Sequence, residues 1–168
     1  MMRRLALASA LFVAVGSAAP SMAVAGSAAS NLNISASVPD NCTISTEAVN
    51  FGAYDSSSNA EATGTVTILC TIGTSATITL GQGNNAGDGS TDTQPLRRLG
   101  QGSNADKLSY DLYKNTLRSD FWGNTNETGK FSGGTGSNQS LTVYGRIPSG
   151  QNVPVGSYAD TVVATVSY

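Results

Sequence analysis

Histidine is absent from this sequence, cysteine occurs twice, tryptophan once, and charged residues make up only 12% of the chain. Without histidine, the usual general base of serine and cysteine nucleophiles is missing. No serine sits in a Gly-x-Ser-x-Gly turn either, so hydrolase machinery is not visible. Two cysteines without histidine cannot complete a soft metal site, and no metal or cofactor is expected. Residues 26–96 contain no lysine or arginine, which excludes the dense basic face that nucleic-acid binding requires. No segment approaches the ~20 apolar residues of a membrane-spanning helix. Nor does any window carry a convincing helical period, so helices are expected to be short or absent.

What is present begins with an address. Met1-Met2-Arg3-Arg4 is a short basic head, Leu5 to Val15 is almost wholly apolar, and Ala23-Val24-Ala25 is a small-x-small cleavage site. Residues 1–25 therefore read as a secretory signal peptide. Losing Arg3 and Arg4 moves the formal charge from −2 to −4. The remaining chain is long enough for one domain that buries roughly two-thirds of its unfolded surface. Cys42 and Cys70 both lie in it, and an even count in an oxidising compartment favours one disulfide, worth ~3.5 kcal/mol in the chain-entropy account. A pair of buried free thiols is the alternative.

The apolar pattern has a period of two. Leu32, Ile34, Ala36 and Val38 alternate with Asn33, Ser35 and Ser37, and Pro39-Asp40-Asn41 then interrupts. Further strands are predicted over Cys42 to Ser45, Val49 to Tyr54, Thr63 to Thr71, Ser75 to Leu80, Leu108 to Tyr113, Ser140 to Ile147 and Tyr158 to Tyr168. Gly81 to Gly102 and Gly123 to Asn138 read as long loops. Short strands divided by Gly, Pro, Asn and Ser clusters point to an all-β sandwich. In the terminal strand Val162, Ala164, Val166 and Tyr168 share one apolar face, while Thr161, Val163, Thr165 and Ser167 form a mostly hydroxylated one. With no following strand to pair with, one of its edges is expected to need cover from another chain.

Other constellations carry less. Gly81 to Gly87 lacks the Gly-Lys-Ser/Thr ending of a phosphate loop. Asn84, Asp88 and Asp92 do not have EF-hand spacing. Asp106 with Asp111, or Asp120 with Glu127, would be a glycosidase pair only in an aromatic pocket that raises one pKa, and solvated charge is the expectation. Asn33, Asn41, Asn126 and Asn138 head Asn-x-Ser/Thr sequons, unsurprising in a chain rich in Asn and Thr. Tyr113, Phe121 and Trp122 could stack on sugar, which supplies an alternative reading as a monomeric secreted sugar-binding β-sandwich.

Leu141-Thr142-Val143-Tyr144-Gly145-Arg146-Ile147-Pro148, then Pro154-Val155-Gly156-Ser157-Tyr158-Ala159-Asp160-Thr161 and the terminal strand, resemble the spore coat protein U domain family, which includes the major subunits of archaic chaperone-usher pili. Leu108 to Tyr113, Arg118, Trp122-Gly123 and Arg97 to Leu99 extend the resemblance. It implies an incomplete immunoglobulin-like β-sandwich of the pilin type that lacks its last strand, with residues 26–41 as an N-terminal donor-strand extension and 42–168 as the pilin domain. By the same resemblance a periplasmic chaperone fills the groove beside the last strand. At an outer-membrane usher, the N-terminal extension of another subunit replaces it. Leu32, Ile34, Ala36 and Val38 are then the donor plugs, and Val162, Ala164, Val166 and Tyr168 line the acceptor and chaperone-binding edge. The implied product is a surface pilus serving adhesion and biofilm formation, and the family's name adds a non-fibrous surface or spore-coat protein as an alternative.

Overall fold

Strand-forming residues that alternate in burial build two antiparallel sheets, in a computed structural model that describes residues 22, 25–102 and 106–168. The proposed signal peptide lies outside the described residues, apart from Met22 and Ala25. The chain divides into two units, Met1–Ala36 and Ser37–Tyr168. In the first, residues 25–36 form neither strand nor helix, and their side chains are exposed.

The second unit carries nine strands among the described residues: β1 (Cys42–Glu47), β2 (Ala60–Cys70), β3 (Ser75–Leu80), β4 (Arg98–Gly100), β5 (Lys107–Ser109), β6 (Asp111–Tyr113), β7 (Lys130–Gly133), β8 (Gln139–Ile147) and β9 (Ala164–Ser167). One sheet has the order β1-β2-β8-β6, the other β7-β3-β9, and β4 with β5 forms a small hairpin. Val66, Ile68 and Cys70 on β2, Ala76, Ile78 and Leu80 on β3, and Val143 and Ile147 on β8 point inward and form one core with Leu108, Tyr110, Leu112 and Trp122. This is the period-two pattern of strands buried on one face. Cys42 stands opposite Cys70 in the β1–β2 register, and the two are joined as a disulfide with Cα atoms 4.1 Å apart.

Several predicted elements are corrected. Val49 to Tyr54 is not a strand. Gly52 adopts φ 67°, its N–H donates to Asn50 Oδ1 at 3.0 Å, and that turn breaks the ladder. Val49, Phe51 and Tyr54 nevertheless pack against the core. Leu108 to Tyr113 is two strands, because the chain changes partner at Tyr110: β5 pairs with β4, and β6 with β8. The two long loops contain β4 and β7. The terminal strand is shorter than Tyr158 to Tyr168, although Val163 and Thr161 carbonyls still accept from Gly81 and Asn84 N–H at 2.9 and 3.2 Å.

Buried Arg97 braces the sandwich from within. Its Nε donates to Gly81 O, and Nη2 donates to the Leu80 and Trp122 carbonyls, each at 2.8 Å. Trp122 Nε1 donates to Ile78 O at 2.8 Å. Backbone carbonyls at and beside the end of β3 thereby satisfy the buried indole and two of the three guanidinium nitrogens, while Arg97 Nη1 is buried without a hydrogen-bond partner among the described residues.

Candidate functional site

β1 lies at the rim of the first sheet with β2 as its strand partner, and β9 at the rim of the second with β3 as its partner. Among the described residues the other edge of each strand carries no ladder. The two strands are neighbours in space, so their open edges border one opening. Its narrow part, about 270 Å³, has Thr46 to Val49 and Phe51 on one wall and Asp160 to Val162 with Ala164 on the other. The floor is core: Val66, Leu80, Leu99, Tyr110, Leu112 and Val143.

A wider part of about 1190 Å³ continues between residues 48–56 and 151–160, floored by Leu99, Leu108 and Ile147. Ala48, Val49, Phe51, Leu99 and Asp160 line both parts, which makes them one cleft. The cleft thus combines an apolar floor with two backbone edges that carry no ladder among the described residues.

Asp160 fixes the wall leading into β9. Its carboxylate accepts Tyr110 OH at 2.8 Å, Asn84 N–H at 2.9 Å, and the Asn85 N–H and Nδ2 at 3.2 Å each. Gly83, at φ 85°, makes this approach feasible, because a Cβ there would collide with that carboxylate. The glycine-rich stretch thus cradles the chain's own carboxylate rather than a phosphate. Burial, and then the bond to Asp160, pushes the Tyr110 hydroxyl well above the usual tyrosine pKa.

The residues expected to line an acceptor edge divide by position. Val162 and Ala164 are half-buried and line the narrow opening, and Val166 continues their face against the core. Val163 and Thr165 on the other face are exposed. Tyr168 lies past the end of β9 and is 58% exposed, outside the lining. Of the residues expected to be donor plugs, Leu32 is 85%, Ile34 87% and Val38 81% exposed, and Ala36 is exposed with them. These four exposed apolar positions recur at period two in a segment that forms no strand.

Other sequence candidates have structural employment. Trp122 is fully buried, and Tyr113, itself buried, stacks on Phe121 with centroids 4.9 Å apart, so the three do not form a platform for sugar. Asp120 pairs with Lys114 at 3.2 Å. Asp111 accepts Tyr113 OH at 3.3 Å, and burial raises its pKa. Asp92 accepts Gln82 and Asn124 side-chain amides at 3.0 Å each, and no group of three or more metal-ligating side chains occurs among the described residues. Sequence reasoning missed the joint role of Asp160, Tyr110 and Gly83. The only signal was Asp160's place in Tyr158-Ala159-Asp160-Thr161.

Comparison with known proteins agrees with this architecture. The Spore Coat Protein U domain model matches residues 28–165. "Protein U" of Myxococcus xanthus is 44% identical over 127 residues, covering 71% of each chain. Among solved structures, a chain in the CsuC–CsuE chaperone–tip adhesion subunit pre-assembly complex from archaic chaperone-usher Csu pili of Acinetobacter baumannii aligns with TM-score 0.57 at 23% identity. The alignment covers 78% of this chain and 40% of that one, and at this identity the likeness is one of fold.

Proposed function

The chain belongs to the spore coat protein U domain family, a family of structural rather than enzymatic proteins, and from that premise we propose that it is an exported surface subunit assembled by donor-strand exchange. Its fold is an immunoglobulin-like sandwich of the pilin type with its sheets unclosed. The observation that carries the proposal is the cleft between the open edges of β1 and β9, floored by core side chains.

In this reading a periplasmic chaperone inserts a strand beside β9 and keeps the floor out of water. At an outer-membrane usher, Leu32, Ile34, Ala36 and Val38 of a second copy, or of a related subunit, then take its place. Each Leu, Ile or Val so buried contributes about 1.5–3 kcal/mol, and the new main-chain ladder sets direction and register. The fibre serves adhesion and biofilm formation at the cell surface.

The test is a truncation. Removing residues 26–38 leaves every strand and the disulfide intact, so the shortened subunit is expected to bind its chaperone while failing to extend fibres seen by electron microscopy. Fibre growth equal to that of the full chain would show that the donor lies elsewhere. The family's description favours one second reading, a surface or spore-coat protein without fibres, and the same micrographs of the native surface distinguish it.

A further inference from the structure

Lys107, Asn85 and Asp160 meet beside the cleft in an arrangement that strand exchange does not use. Lys107 Nζ donates to Asn85 Oδ1 at 3.2 Å, and the same carboxamide donates Nδ2 to Asp160 Oδ1, also at 3.2 Å. Both contacts are partly buried. An amine thus sits on the carbonyl side of an amide, and a carboxylate on its nitrogen side.

The amide is held firmly. Asn85 N–H donates to Asp160 Oδ1 and Nδ2 to Ala159 O at 3.2 Å each, while the Asn85 carbonyl accepts Arg98 Nε at 3.0 Å. Gly100 supplies the room. A Cβ at that position would lie 2.6 Å from Lys107 Nζ, 2.8 Å from Asn85 Oδ1 and 3.0 Å from Asn85 Cγ, so the amine and the amide carbon converge on one small gap. Lys107 stands opposite Gly100 in the β4–β5 register, and Gly100 bridges to Ala159, so lysine and carboxylate reach the amide from adjoining chain segments.

We propose that these three residues are an autocatalytic modification site that joins Lys107 to Asn85 by an isopeptide bond. Lys107 Nζ, having given one proton to solvent, attacks Asn85 Cγ and forms the new C–N bond. The Cγ–Nδ2 bond breaks as Asp160 relays a proton released from Nζ to Nδ2, which leaves as ammonia. One amide replaces another, and nothing is oxidised or reduced. Fixed alignment makes this aminolysis intramolecular, the condition under which such reactions gain most in rate. The cross-link ties the glycine-rich stretch to β5 across Ala159 and Asp160, at the wall that leads into β9. It does not depend on fibre assembly and is readable in an isolated subunit.

The experiment is mass spectrometry of the full-length exported protein, intact and after digestion, beside Lys107→Arg and Asp160→Asn. The wild type is expected to be lighter by one ammonia than its disulfide-bonded sequence and to yield a branched peptide containing Lys107 and Asn85. Lys107→Arg, which keeps the charge, is expected at full mass. Asp160→Asn is expected to slow the appearance of the branched peptide by about a hundredfold. A wild type at full mass, or an ammonia deficit that persists in Lys107→Arg, would overturn the proposal.

Discussion

Tyr110 donates its hydroxyl to Asp160 Oδ2 at 2.8 Å, joining the floor of the cleft to its wall across 50 residues of sequence. A hydrogen bond to a charged acceptor is worth about 1.5–3 kcal/mol net, so Tyr110→Phe is expected to lower unfolding stability by roughly that amount. Asp160→Ala is expected to cost more, because the Asn85 N–H loses its acceptor as well and the Asn84 N–H keeps only the Thr161 carbonyl. Urea denaturation of the two variants checks both the sizes and the order.

Alkaline pH is expected to act through Tyr110 and Tyr113. Burial first, then Asp160, raises Tyr110, while burial and then Asp111 push Tyr113 up to about 12. Unfolded tyrosine ionises near 10. Since both folded values exceed the unfolded one, their contribution to stability is complete below about pH 10 and is lost as pH rises towards and beyond 12. Spectrophotometric titration should therefore show Tyr110 and Tyr113 resisting ionisation until the protein unfolds. Ionisation of Tyr110 and Tyr113 near the ordinary value, with the fold intact, would contradict this.

The disulfide gives a third expectation. Cys42 and Cys70 close a loop of sequence separation 28, and replacing both by serine is expected to cost ~3.5 kcal/mol. Mass spectrometry of the exported protein should find both thiols oxidised. Free thiols in a natively folded sample would remove the staple from the account.

The sandwich was legible in the sequence where side chains face one core. Val66, Ile68, Ile78, Val143 and Ile147 follow period two, and the strands carrying them lie close to their predicted spans. Legibility failed where backbone geometry governs. Gly52 turns an alternating run into an irregular segment, Tyr110 marks a change of sheet partner inside an alternating run, and β7 lies within a stretch dominated by turn formers. At the cleft, alternation identified the half-buried face of Val162, Ala164 and Val166, but Tyr168 falls beyond the strand. The Asp160 network was invisible because its partners come from residues 84, 85 and 110, and no local pattern records such a convergence.

The most direct measurement compares adjacent positions on opposite faces of the segment entering β9. Val162 lines the cleft, whereas Val163 is 66% exposed. A carboxylate forced into a site that a partner strand dries costs several kcal/mol, while one in water costs little. With both variants exported and disulfide-bonded, chaperone co-purification and fibre yield are measured for Val162→Asp and Val163→Asp. Strand exchange at this cleft predicts that Val162→Asp loses both capture and fibres and that Val163→Asp keeps most of each. Equal behaviour of the two variants would contradict it.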